Sequence, residues 1–127
     1  MPKIVLLYAG LLGLMSIVIA SFAGRLRGEL KVSIGDGGNT ALLLAMRRHG
    51  NFAEFVPLAL ILIALLEMNA VSVWAIHLMG AGLGLARGVR AGGLKPDTVS
   101  NVGRFVGAAG TALVTVVASI WALVVFF

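Results

Sequence analysis

The chain has 127 residues, 60% of them hydrophobic and 12% charged, with ten Lys and Arg against five Asp and Glu and a formal net charge of +5. Soluble domains carry about 25% charged residues, so this composition excludes an ordinary soluble fold and points to a membrane protein, read as a single domain over residues 1–127. The absence of cysteine excludes a disulfide framework, a thiolate metal site and a cysteine nucleophile. His49 and His77 form no metal-ligand pattern, so no metal site is expected. No basic run is interleaved with aromatics, so no nucleic-acid partner is expected either.

Four hydrophobic segments follow in order. The first runs from Ile4 to Ala23. Its uncharged stretch, Ile4 to Gly24, is long enough to span a bilayer, whereas the apolar region of a signal peptide has about 7–15 residues. It is therefore read as a retained helix. The second starts near Thr40 and ends near Leu66, the third covers about Ala70 to Ala86, and the fourth about Phe105 to Phe127. Backbone groups in hydrocarbon must pair within their own segment, and the segments show no period-two alternation. The expectation is an all-α, integral membrane four-helix bundle. Asp36-Gly37-Gly38-Asn39 reads as a turn, with Asn39 or Thr40 capping the second helix. Pro57 removes a hydrogen bond inside that helix and predicts a kink. Gly80-x-x-x-Gly84 and Gly103-x-x-x-Gly107 have the small-residue spacing that lets membrane helices approach closely.

The connections are asymmetric. Arg25, Arg27, Lys31, Arg47 and Arg48 lie around the first, Arg87, Arg90, Lys95 and Arg104 around the third, and Glu67-Met68-Asn69 between the second and third segments carries none. Nine of the ten basic residues thus fall on one side. The positive-inside rule puts that side in the cytoplasm and both termini outside. Trp74 fits an interfacial anchor at the opposite end.

The candidate chemistry lies in Arg47-Arg48-His49-Gly50-Asn51-Phe52-Ala53-Glu54-Phe55-Val56-Pro57. Ionisable groups at the edge of a span are costly to keep there and mark a site by default. Arg47, Asn51 and Glu54 are spaced i, i+4 and i+7, so a helix puts them on one face. Guanidinium, amide and carboxylate in a row suit a ligand carrying both carboxylates and an ammonium group. The plain alternative is an ion pair from Glu54 to Arg47 or another loop arginine. His49 points about 200° from the Arg47 face, given about 3.6 residues per turn, and reads as a packing residue. His77 reads as a satisfied interior histidine. Arg87, Arg90 and Arg104 are explained by topology alone, but Arg104 opens the fourth apolar segment, where a guanidinium could hold a bound thiol in its ionised form.

The block Arg47-x-His49-x-Asn51-x-x-Glu54-Phe55-x-Pro57 resembles the second-helix signature of the membrane-associated proteins in eicosanoid and glutathione metabolism, the MAPEG family. Arg25-Leu26-Arg27 after the first segment and Arg87 with Gly93 after the third are similar to it as well. The look is that of the small bacterial inner-membrane members. The resemblance implies a homotrimer of four-helix subunits embedded in membrane lipid, with glutathione bound between neighbours as co-substrate near the cytoplasmic side. It implies that Arg47, Asn51 and Glu54 bind glutathione, that Arg25 lies near its carboxylates, that Arg87 and Arg90 supply the basic end of helix three, and that Arg104 is the catalytic arginine that stabilises the thiolate. The implied activity is that of a glutathione transferase or peroxidase acting on lipophilic small molecules. Phe55 departs from the tyrosine that many members carry there, and Arg90 and Leu94 stand near positions that are tyrosine in several. Tyr8 is the sole tyrosine. This departure leaves open a second reading, a non-enzymatic membrane protein that binds an anionic lipid or lipid-like ligand.

Overall fold

The computed structural model describes residues 1–93 and 102–127. Four helices account for nearly all of them: α1 (Lys3–Leu30), α2 (Thr40–Met68), α3 (Val73–Gly93) and α4 (Val102–Phe126). They run alternately up and down. The start of α1 meets the end of α2, where Ile4 bonds Glu67, and the start of α3, where Tyr8 bonds His77. The end of α1 meets the start of α2 at Arg27 and Met46. Asn51 early in α2 meets Arg87 late in α3, and Arg90 late in α3 meets Arg104 at the start of α4.

The helices α2 and α3 each touch all the others, whereas α1 and α4 share no contact among the described residues. Burial follows that arrangement. In α2, Phe52, Val56, Ala59, Ile63 and Leu66 form a buried stripe at alternating spacings of four and three, and Ile76, Met79 and Leu83 continue it on α3. In α1 only Val5, Leu12 and Ile19, one residue in each heptad, are buried. Leu6, Leu14 and Ile17 on α1, and Leu113, Leu123 and Val124 on α4, are exposed. In lipid such a surface carries no penalty, because acyl chains are as apolar as leucine.

The helices α1, α2 and α4 are long and apolar enough to cross a membrane. The third segment, expected to do the same, becomes the shortest helix and carries His77, Arg87 and Arg90. It packs against all three other helices, and Trp74, Leu78 and Leu85 stay exposed on it. Two helices also outrun their apolar segments. α1 continues past Ala23 to Leu30 and α3 past Ala86 to Gly93, because hydropathy marks the bilayer crossing and not the end of the hydrogen-bond ladder. α2 continues through Pro57.

Local chemistry fixes the ends. The Leu42 N–H donates to Asn39 Oδ1 at 3.0 Å, so Asn39 is the cap of α2. At the foot of α1, Lys31 adopts a left-handed conformation, and Arg27 Nη1 reaches the carbonyls of Val32 and Ser33. The opposite end of α1 lacks a cap of its own, since Pro2 precedes it and no acidic residue lies in its first turn. Glu67, at the end of α2, takes that role: the N–H groups of Ile4 and Val5 each donate to its carboxylate at 2.7 Å. These are two of the four donors that a helix start leaves unpaired. Glu67→Ala should lower stability by about 1–2 kcal/mol, the usual range for a lost cap, read as a lower thermal midpoint in detergent. An unchanged midpoint would show that the contact contributes nothing.

Glycine sets two helix crossings. A Cβ on Gly80 would run into the Tyr8 ring, so the α1–α3 approach depends on its absence. On α4, a Cβ on Gly107 would lie 2.7 Å from the Ala86 carbonyl oxygen and 2.9 Å from Arg90 Cα. Backbone therefore touches backbone where α4 crosses α3, beside the basic end of the bundle. Gly84, the second glycine of its spacing, has nothing within 4 Å of such a Cβ.

Candidate functional site

The polar residues of α2 open onto a groove of about 730 Å³. Arg47, Asn51 and Glu54 line it from α2, Arg90 from α3 and Arg104 from α4, with Met46 and Leu43 among the apolar contributors. The spacing read from sequence therefore places one guanidinium, one amide and one carboxylate along a single wall, and the crossing at Gly107 brings two further guanidiniums opposite. Arg47 and Glu54 are exposed, and Asn51, Arg90 and Arg104 are half-buried. Glu54 is the single acid lining the groove and makes no ion pair among the described residues. The plain reading of an Arg47–Glu54 pair is thus not what the structure shows.

Arg87 stands behind this wall. It is 3% exposed, and its Nη1 donates to Asn51 Oδ1 at 2.8 Å and to the Asn51 carbonyl at 3.4 Å. The Phe55 ring lies 5.5 Å from Arg87 Cζ, within cation–π range. Residues 87 and 90 lie three apart on α3, yet one turns into the bundle and the other lines the groove. Arg87 therefore orients the Asn51 side chain: its Oδ1 accepts from the guanidinium, and its NH₂ remains a donor for a ligand. Arg90 Nη1 donates to the Arg104 carbonyl at 3.1 Å, which ties the end of α3 to the first turn of α4.

Arg25 is exposed near the end of α1 and does not line the groove of its own chain. Arg27 is the residue of that pair that packs inward, with Nη2 3.3 Å from the sulfur of Met46. Tyr8 lies at the other end of the bundle, its Oη 2.9 Å from His77 Nδ1 and its ring edge-on to the imidazole. Gly80, which its ring covers, is seven residues from Arg87, about 10 Å along the helix at about 1.5 Å per residue. Leu94, Lys95 and Asp97 lie outside the described residues.

Sequence reasoning missed the Arg87–Asn51 lock, the Phe55 contact and the Glu67 cap. A signal for the lock existed, a basic residue on the inward face of α3, but topology explained it equally well.

The chain matches a family model over residues 5–124, that of the MAPEG family. The chain belongs to the MAPEG family. It is 39% identical over 74 residues to the inner membrane protein YecN of Escherichia coli strain K12, and equally to the protein of that name from Escherichia coli O6:H1 strain CFT073. The match covers 58% of this chain and 56% of each relative, so it spans little more than half the length of the curated relatives. No solved structure matches the chain. As a MAPEG member with three helices suited to crossing a bilayer, the protein is a membrane protein.

Proposed function

We propose that this MAPEG protein is a glutathione-dependent transferase or peroxidase, in which bound glutathione thiolate attacks lipophilic electrophiles. The observation that carries this reading is the charge pattern of the groove: three guanidiniums and one carboxylate, from three helices, around about 730 Å³. Glutathione with an ionised thiol carries two carboxylates, one ammonium and one thiolate, the complement of that set. Glu54 receives the ammonium. Arg47 and Arg90 take carboxylates, for which the planar fork of arginine is suited. Asn51, held by Arg87, donates from its NH₂. Arg104 stabilises the thiolate, which is the nucleophilic form.

Arg25 serves the groove of a neighbouring copy in a homotrimer, since it does not line its own. The relatives' name supports an inner-membrane location, and the basic end, by the positive-inside rule, faces the cytoplasm with both termini on the other side. Electrophiles enter sideways from membrane lipid.

The test is calorimetry of glutathione with the detergent-purified protein. Arg47→Ala and Glu54→Gln should each weaken binding about 10- to 100-fold, the loss of one charge-assisted hydrogen bond at about 1.5–3 kcal/mol. Absence of binding by the unaltered protein at millimolar glutathione would overturn the proposal.

The second reading, an anionic-lipid site without chemistry, is favoured by one observation: Tyr8 is engaged with His77 at the far end, so no described tyrosine stands at the groove. Glu54 separates the two. A phosphate headgroup is repelled by it, so Glu54→Gln would tighten an anionic lipid and loosen glutathione.

A further inference from the structure

Arg48, Asn51 and Phe52 on α2, and Arg87, Arg90 and Ala91 on α3, each follow the i, i+3, i+4 spacing that puts three side chains on one helix face. The two faces meet around a cavity of about 10 Å³, which Ile19 of α1 also lines. That is room for a single water-sized particle. Arg48 follows Arg47 in the chain, yet it lines this cavity and not the groove. Three guanidiniums thus surround the space, and no carboxylate lines it among the described residues. Arg87 and Arg90 stand one turn apart, where like charges repel. Ile19 and Phe52 are buried and apolar, so water screens that repulsion little.

The cavity is also rich in donors. Arg87 commits Nη1 to Asn51, and Arg90 commits Nη1 to the Arg104 carbonyl, yet the Nε atom of each is buried with no hydrogen-bond partner among the described residues. A guanidinium offers five N–H groups and no acceptor. A water molecule there would have to turn its own protons toward cations or apolar walls. An anion accepts from every side and cancels one of the charges.

We propose that this cavity is a structural anion site that takes a single halide ion, chloride under ordinary conditions. The space is too small for phosphate, sulfate or a carboxylate. The ion is the counter-charge that lets three guanidiniums pack together behind the groove wall, and it steadies Arg87 in the position from which it holds Asn51. The site stands apart from the thiol reading, because Arg47, Glu54 and Arg104, which carry that reading, do not line this cavity.

The test is the thermal midpoint of the detergent-purified protein, without glutathione, as chloride replaces gluconate at constant ionic strength. Gluconate is too large to enter. A ligand that binds only the folded state stabilises it further with each tenfold rise above its Kd, so the midpoint should climb by several degrees per tenfold of chloride, and bromide should act alike. Arg47→Ala, which changes the groove and not the cavity lining, should keep this response. Arg48→Met, which takes one guanidinium from the cavity, should abolish it. Ala91→Val, which fills the space with apolar atoms, serves as the second variant should Arg48→Met fail to fold. In bromide-soaked crystals, anomalous scattering should place a peak between Arg48, Arg87 and Arg90. A midpoint indifferent to which anion is present, the result expected of a water-filled cavity, would overturn the proposal. So would a response lost in Arg47→Ala but kept in Arg48→Met, or a bromide peak confined to the groove. If chloride stabilises the protein through Arg48 and glutathione fails to bind, the thiol reading fails and the anion site stands. If glutathione binds and chloride has no effect, the anion site alone fails.

Discussion

Arg104→Ala is expected to leave glutathione bound but un-ionised at neutral pH. A free thiol has a pKa of about 8.5, and an adjacent arginine lowers an ionisable acid by about 1–3 units. Arg104 lies in the first turn of α4, where the partial positive charge of the helix start adds to that of the guanidinium. Removing the side chain should therefore reduce the thiolate fraction at pH 7 by about tenfold or more, seen as loss of the ultraviolet thiolate absorbance of the complex. The Arg104 atom that receives Arg90 is its backbone carbonyl, which the variant keeps. Thiolate absorbance equal to that of the unaltered protein would remove Arg104 from this role.

The second large effect is expected at Gly107. A Cβ there would lie within 3 Å of α3 backbone at two atoms, and backbone, unlike the end of a flexible side chain, has no rotamer to yield. Gly107→Ala should force α4 away from α3, with a stability loss of about 1–3 kcal/mol typical of overpacking. It should also weaken glutathione more than its stability loss suggests, since the displaced crossing carries both Arg90 and Arg104. Gly84→Ala is the control. It lies on α3, an added methyl there meets nothing within 4 Å, and helix propensity favours alanine by about 1 kcal/mol. The pair should differ in sign for thermal midpoint in detergent. Equal effects would mean that the crossing is not held by Gly107.

The same crossing shows how far the site was legible in sequence. Arg47, Asn51 and Glu54 could be placed on one wall because they lie on one helix, where periodicity alone fixes their mutual direction. Charge asymmetry put Arg90 and Arg104 on the same side as these residues, but their place in one groove depends on a packing contact that no spacing within either segment encodes. Arg87 illustrates the limit. It sits one turn from Arg90 in the same basic stretch, and its inward turn toward Asn51 and Phe55 is decided by which face of α3 meets α2. Glu67 was harder still. Its partners are 62 and 63 residues away, and nothing around Pro2 and Lys3 signals that the first turn of α1 borrows its cap. The bundle itself was legible because bilayer length and apolarity leave the backbone one way to satisfy its hydrogen bonds. Helix ends were less so. α1 reaches Leu30 and α3 reaches Gly93, carrying Arg25, Arg27, Arg87 and Arg90 on helices past the apolar boundary.

Under the proposed function, the groove reads a zwitterionic, doubly carboxylated thiol through Glu54 set against arginines. The most direct measurement is a binding cycle: the unaltered protein and Glu54→Gln, each titrated calorimetrically with glutathione and with its deaminated analogue, which keeps both carboxylates and the thiol but lacks the ammonium. The unaltered protein should prefer glutathione by about tenfold or more, the value of one charge-assisted contact, and Glu54→Gln should abolish or reverse that preference. An identical preference in both proteins, or no preference in either, would contradict recognition of the ammonium by Glu54.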